Sequence, residues 1–267
     1  MIPKKIHYCW FGHNPKPELA EKCIKSWKKY CPDYEIIEWN EDNVDLSGCP
    51  FFVQEAYARK KWAYVTDYIR LKVVYEHGGI YLDTDVELLK PLDELLAHTL
   101  YLGCEGKEYV NTGVGFGAEK GNRILRENMQ IYEEMNPVDD QGRFSSSPCP
   151  HYTTKVLKDM GVSFPVETVV QIDSVGSVVY PNDYFNPYDW KFDKLRITPN
   201  TYSIHHYDAS WMAKGQKISM IQEARKRRVE QRFGKTAAKV YEYIYWSRKE
   251  NGGPGLGRRL ISRIRRK

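Results

Sequence analysis

The sequence predicts an α/β fold with a mostly parallel central sheet and a basic helical C-terminal tail. Three observations carry that expectation. Apolar, strand-like runs alternate with helical patterns through the first hundred residues, which favours parallel strands joined by crossover helices. One of these runs, "HGGIYLDTDVELLKPLDELL" (His77–Leu96), leaves a glycine pair and ends in two aspartates one residue apart. The charge then changes sign near residue 213. Residues 214–267 hold 17 Lys/Arg against 4 Asp/Glu, whereas residues 1–213 hold 23 against 31, within a net charge of +5.

Each element follows from its pattern. Lys4–Phe11 ("KKIHYCWF") reads as a first strand. Pro17–Tyr30 reads as a helix, with Leu19, Cys23, Ile24 and Trp27 on one face. Tyr34–Trp39 is a second strand, and residues 51–79 hold one or two helices that stop at Gly78. "IYL" and "TLYLGCE" are buried strands. "NTGVGFGAE" reads as a strand whose glycines let another backbone come close. Helices at "NRILRENMQIYEEM" and "HYTTKVLKDMG" flank a polar loop, "DDQGRFSSSPCP". Short strands at "TVVQI" and "GSVVYP" lead to "TYSIHHYDASW", which closes a first domain, 1–213. Residues 214–267 form a basic helical extension.

Composition limits the function classes. With 42% hydrophobic and 13% aromatic residues, the chain buries a substantial core. It has no apolar run of ~18 residues to cross a bilayer. The start, "MIPKKIHYCWFG", lacks the apolar stretch and cleavage site of a secretory signal, so the expected location is cytoplasmic. Six cysteines with no CxxC pair argue against a cysteine zinc site and for free thiols.

The chemistry gathers around Asp83 and Asp85. Residues two apart in an extended strand point the same way, so both carboxylates project from one side of the strand end. Two close anions repel. Either the turn is solvated and the charges stay apart, or the pair holds a hard divalent cation such as Mg²⁺ or Mn²⁺. Upstream, Asp67 and Arg70 share a helix face. They form either a surface ion pair or an acceptor and a donor delivered to the same cleft.

Taken together, "A-x-x-T-D-x-x-R" (from Ala63) and "Y-E-H-G-G-I-Y-L-D-T-D" resemble the sugar-binding DxD region of glycosyltransferase family 32. That group includes Och1-like mannosyltransferases and capsular polysaccharide enzymes. Outlying parts of the likeness are "IPKKIHYCWFG", "NTGVGFGAEKGN" and "SIHHYDASW". The resemblance implies a GT-A-type nucleotide-sugar-binding fold. It also implies a retaining, metal-dependent transfer from a nucleotide-sugar, UDP preferred, to a glycan or lipid-linked saccharide in cell-surface or capsular polysaccharide synthesis. Asp85 and Asp83 would match the metal-binding pair, with Asp83 nearer the sugar. Asp67 and Arg70 would hold the donor sugar and diphosphate. Trp10 would stack on the base or else belong to the core, and Asn111 would touch a sugar or else make a turn. Of His205 and His206, which face opposite ways in a strand, His206 is the favoured third metal ligand. Ser210 and Trp211 would close over the phosphates. His7 receives no role.

The end of the chain, "RRLISRIRRK", sets Leu260, Ile261 and Ile264 among six Arg/Lys. It suits either an anionic membrane surface at the inner face of the membrane or a solvated tail. Nucleic acid is not expected, since the body is acidic and no nucleic-acid motif occurs. Two other classes compete with the enzyme. One is a non-catalytic nucleotide-sugar-binding module. The other is a haloacid-dehalogenase-type phosphatase, disfavoured by Glu87 where that motif has Thr or Val.

Overall fold

The structure is a computed structural model and describes residues 1–189, 194–208, 226, 229–230 and 232–251. The described residues divide into two compact units, the first built on Met1–Tyr188 and the segment from Leu195, the second on Asp189, Lys194 and the region after residue 211. In chain order the first unit holds β1 (Lys5–Cys9), α1 (Glu18–Tyr30), β2 (Glu35–Trp39), α2 (Phe51–Ala58), α3 (Trp62–His77), β3 (Gly79–Tyr81) and β4 (Val86–Leu88). A 3₁₀ turn (Asp93–Ala97), β5 (Leu100–Glu105), β6 (Tyr109–Val110), β7 (Phe116–Ala118), α4 (Arg123–Glu134), α5 (Cys149–Asp159), β8 (Val170–Gln171) and β9 (Ser177–Tyr180) follow. Short strands β10 (Tyr188–Asp189) and β11 (Lys194–Leu195) precede β12 (Ser203–His205). The second unit contains α6 (Lys235–Asn251).

The main sheet has eight strands in the order β2-β1-β3-β7-β5-β9-β8, with β6 beside β5. β2, β1 and β3 are mutually parallel, β5 and β9 are parallel, and β7 runs opposite to both β3 and β5. Five strands therefore share one direction, as the alternation of elements implies. Each inner strand is buried on both faces, because successive side chains enter different cores. Ile80, Leu82 and Tyr101 pack with α1 through Cys23 and Trp27. Tyr81, Leu100 and Leu102 pack with α2–α5 through Phe52, Ile69, Val73, Leu125 and Leu157.

Local chemistry sets the boundaries. Residues 51–79 form two helices, because Lys60 adopts a positive φ of 57° between them. α3 stops at Gly78, whose N–H makes the last helical bond to the Val74 carbonyl while its φ of 66° turns the chain out of the helix. A side chain at Gly79 would come 2.8 Å from His7 Nε2, which explains the second glycine of the pair. Asn122 caps α4 by accepting the N–H groups of Ile124 and Leu125.

Two elements differ from expectation. "NTGVGFGAE" is not one strand; only Phe116–Ala118 pairs. Asn111 Oδ1 accepts the Gly113 N–H at 2.6 Å, and that side-chain bond replaces a strand ladder with a turn. The chain at Asp83–Asp85 is likewise not extended. Val86 N–H bonds the Asp83 carbonyl at 3.0 Å, closing a four-residue turn before β4. β4 leaves the main sheet and pairs antiparallel with β12, setting His205 opposite Val86.

Candidate active site

The site lies at the carboxyl ends of β3 and β5, where the DxD turn, α3, the Asn111 turn and the chain after β12 meet. α3 is apolar on most sides, so Asp67 and Arg70 are carried inside, 7% and 4% exposed. They are not a surface pair. Arg70 Nη2 stands 3.4 Å from Asp67 Oδ1 and 3.3 Å from Asp83 Oδ1. Its fork is fixed by Thr66, with Nε donating to the backbone carbonyl at 3.1 Å and Nη2 to Oγ1 at 3.0 Å. The Tyr81 hydroxyl donates to Asp83 Oδ1 at 2.9 Å, and the Tyr81 ring lies beneath the guanidinium. Removing one partner from such a buried set typically costs ~3–5 kcal/mol, because the remaining charge is stranded.

Asp83, Asp85 and His205 offer ligand atoms that all lie within 4.8 Å of one another. His205 Nε2 is 3.1 Å from Asp85 Oδ1. The Asp208 N–H donates to Asp85 Oδ2 at 2.9 Å. The expectation for His206 is corrected: its Nε2 contacts Glu87 Oε2 at 2.8 Å, away from the aspartates. Only one of the adjacent histidines reaches the pair, and the register of β12 on β4 makes it His205.

The electrostatics leave this site short of positive charge. Burial pushes Asp67 up to about 6, with Arg70 pulling the other way and Asp83 adding to the rise. Asp83 is raised by burial and, against the pull of Arg70, by Asp85. Burial opposes ionisation of Asp85 too, but the charge and hydrogen bond of His205 and the Asp208 N–H hold it at about 2. His205 Nδ1 is buried without a hydrogen-bond partner. Two carboxylates and an imidazole converge, and the carboxylates outnumber the neighbouring cations. That donor set fits a hard divalent ion, which would offset the surplus negative charge.

Asn111 is buried beside the same group. Its Nδ2 donates to Glu105 Oε2 at 2.8 Å, and Cys149 Sγ is 3.6 Å from Oδ1. Cys149, at the start of α5, also lies 3.7 Å from Arg70 Nη1. Trp10 follows the carboxyl end of β1 and is half-buried, its Nε1 donating to the Asn14 carbonyl at 2.6 Å. Ser210 and Trp211, and the tail residues Leu260, Ile261 and Ile264, lie outside the described residues.

Sequence reasoning missed Tyr81, Gly113, Cys149, Glu105 and Tyr207. Gly113 alone left a signal, in the glycines of "NTGVGFG". The others reach the site through tertiary contacts.

Residues 17–102 match the family described as a glycosyltransferase sugar-binding region containing a DXD motif. Inositol phosphoceramide mannosyltransferase 3 of Schizosaccharomyces pombe is 30% identical over 127 residues, 46% of this chain and 35% of that protein. Subversion of eukaryotic traffic protein A of Legionella pneumophila is 24% identical over 208 residues, 66% of this chain and 32% of that protein. The chain thus spans about a third of the length of these relatives. Among solved structures, the PaToxG glycosyltransferase aligns with a TM-score of 0.45 at 20% identity, covering 59% of this chain and 69% of that one.

Proposed function

We propose that the chain is a retaining, metal-dependent glycosyltransferase of GT-A type. It moves a hexose from a nucleotide-sugar to a glycan or lipid-linked saccharide hydroxyl, and its catalytic domain spans residues 1–213. The convergence of Asp83, Asp85 and His205 beside the buried Asp67–Arg70 pair carries this reading.

Asp83, Asp85 and His205 would hold Mn²⁺ or Mg²⁺, the nitrogen donor favouring Mn²⁺. When bound, the ion supplies Lewis-acid charge to the departing diphosphate. Arg70, kept charged and fixed by Thr66, adds a second preorganised positive charge at the donor. Asp67 and Asn111 orient the sugar through its hydroxyls, and Trp10 stacks on the base. The bond from the anomeric carbon to the phosphate oxygen breaks while the bond to the acceptor oxygen forms. The acceptor proton passes to the leaving phosphate oxygen, so no separate base is assigned. UDP is the preferred carrier. The relative named as a mannosyltransferase makes a mannosyl donor the second candidate, and a screen therefore includes GDP-linked hexoses.

Asp85→Asn tests the assignment. It keeps the shape of the turn, and Mn²⁺-dependent sugar transfer or donor hydrolysis should fall at least ~100-fold, the order lost with a single preorganised electrostatic contact. Retention of full activity in that variant would refute the cation site. A wild-type chain that binds UDP-sugars and Mn²⁺ yet turns over no donor would instead support a binding module.

A further inference from the structure

Beside the ion-paired cluster, four polar side chains form a hydrogen-bonded chain. Fully buried Asn186 donates from Nδ2 to the Tyr207 hydroxyl oxygen at 2.6 Å. The Tyr207 hydroxyl donates to the Glu105 carboxylate. Glu105 also accepts Asn111 Nδ2 at 2.8 Å. A single run of bonds thus links the segment after β12 to the Asn111 turn.

Tyr207 has a φ of 50°. For a bulky L-residue this left-handed backbone costs ~1–2 kcal/mol and persists only where the surroundings over-determine it. Here they do. The hydroxyl is held from both sides, and the ring centroid lies 4.0 Å from that of His205. The strained residue sits inside a segment that makes three contacts to one aspartate. His205 Nε2 approaches Asp85 Oδ1, the His206 N–H bonds the Asp85 carbonyl at 3.0 Å, and the Asp208 N–H bonds Oδ2.

We propose that Tyr207 is a positioning residue for the cation site. Pinned through its hydroxyl by Asn186 and Glu105, it holds the turn that sets His205 and the Asp208 N–H against Asp85. The inference rests on reading Asp83, Asp85 and His205 as that site. Partners that orient metal ligands commonly change metal affinity 10–100-fold when removed. Tyr207→Phe keeps the ring against His205 and deletes only the pin.

The test is a Mn²⁺ titration of the full chain, followed by the electron paramagnetic resonance signal of free Mn²⁺. Tyr207→Phe should raise the Kd about 10-fold, while the thermal midpoint in chelator moves only a few degrees. Glu105→Gln should raise it by a smaller factor, and the double variant should lose less than the product of the two, because both act through one hydrogen bond. Wild-type affinity in Tyr207→Phe overturns the positioning role alone. If that variant does not fold, Glu105→Gln decides, and an unchanged Kd there overturns it too. A wild-type chain that binds no Mn²⁺ overturns the cation site and this inference together.

Discussion

Gly113 shows how tightly single residues are specified at the site. A Cβ there would sit 2.6 Å from Asp83 Oδ2, 3.0 Å from Asn111 Oδ1 and 3.1 Å from Arg70 Nη1. None of these neighbours can retreat cheaply, since Arg70 is fixed by Thr66 and Asn111 by Glu105. Gly113→Ala should therefore lower kcat/KM at least ~10-fold, about 1.4 kcal/mol of transition-state stabilisation. Global stability should fall by only ~1–3 kcal/mol in urea titrations, the usual cost of overpacking. Wild-type kcat/KM would show that the close approach has no functional weight. The shared face of Asp67 and Arg70 was legible in the sequence because a helical spacing of three is local, whereas Asp83 and Asp85 were read as an extended strand end and instead lie in a turn. The choice between His205 and His206 was not legible. It depends on which residue of β12 faces Val86, a pairing across more than a hundred positions. Glu105 and Tyr207 were silent for the same reason.

At the scale of elements, the junctions between strands and helices hold the site in place. α1 supports the DxD turn from below. Trp27 Nε1 donates to the Val86 carbonyl at 2.7 Å, and Ser26 Oγ accepts the Leu88 N–H at 2.9 Å. His7 performs a similar service between β1, β2 and the α3–β3 junction. Trp39 Nε1 donates to His7 Nδ1 at 3.0 Å, which leaves Nε2 to carry the proton toward the Gly78 carbonyl at 2.8 Å. A second proton would set N–H against N–H. Burial accordingly lowers His7 from 6.5 to about 4 despite the Gly78 carbonyl. Between those values the unfolded chain binds the extra proton and the folded chain does not, so stability rises with pH across that window. The contribution is fully present above about pH 6.5, lost by about pH 4 and flat below, and amounts to roughly 3 kcal/mol. Urea unfolding of wild type and His7→Gln between pH 4 and pH 7.5 isolates it. Parallel slopes for the two proteins would mean that His7 is protonated in the fold as readily as in water. Most elements were legible because their periods are local. The exceptions are informative: the Asn111 and Asp83 turns arise where a side chain or carbonyl captures a nearby N–H, which alternation of polar and apolar residues does not encode.

On the scale of the whole molecule, charge is the strongest long-range feature. Residues 1–213 carry a surplus of eight acidic side chains, and residues 214–267 a surplus of thirteen basic ones. The proposed nucleotide-sugar is itself an anion, so an acidic body would repel it, and the proposed cation and Arg70, not the general field, would attract it. None of the helices among the described residues is long and apolar enough to cross a membrane. A lipid-linked acceptor would nonetheless bring the enzyme to a bilayer, and each Lys or Arg near an anionic leaflet contributes ~1 kcal/mol. The six Arg/Lys of residues 258–267, interleaved in sequence with Leu260, Ile261 and Ile264, would supply both charge and apolar contact to such a surface. Flotation with phosphatidylserine vesicles should carry the full chain upward at low salt and progressively less as salt screens the attraction. Deletion of residues 258–267 should weaken that association at least ~10-fold, while donor hydrolysis in solution, which needs no lipid surface, should stay unchanged. Equal flotation of the two forms would remove the membrane from the account and leave the tail as a solvated appendage, while equal binding to neutral phosphatidylcholine would make the contact apolar rather than electrostatic.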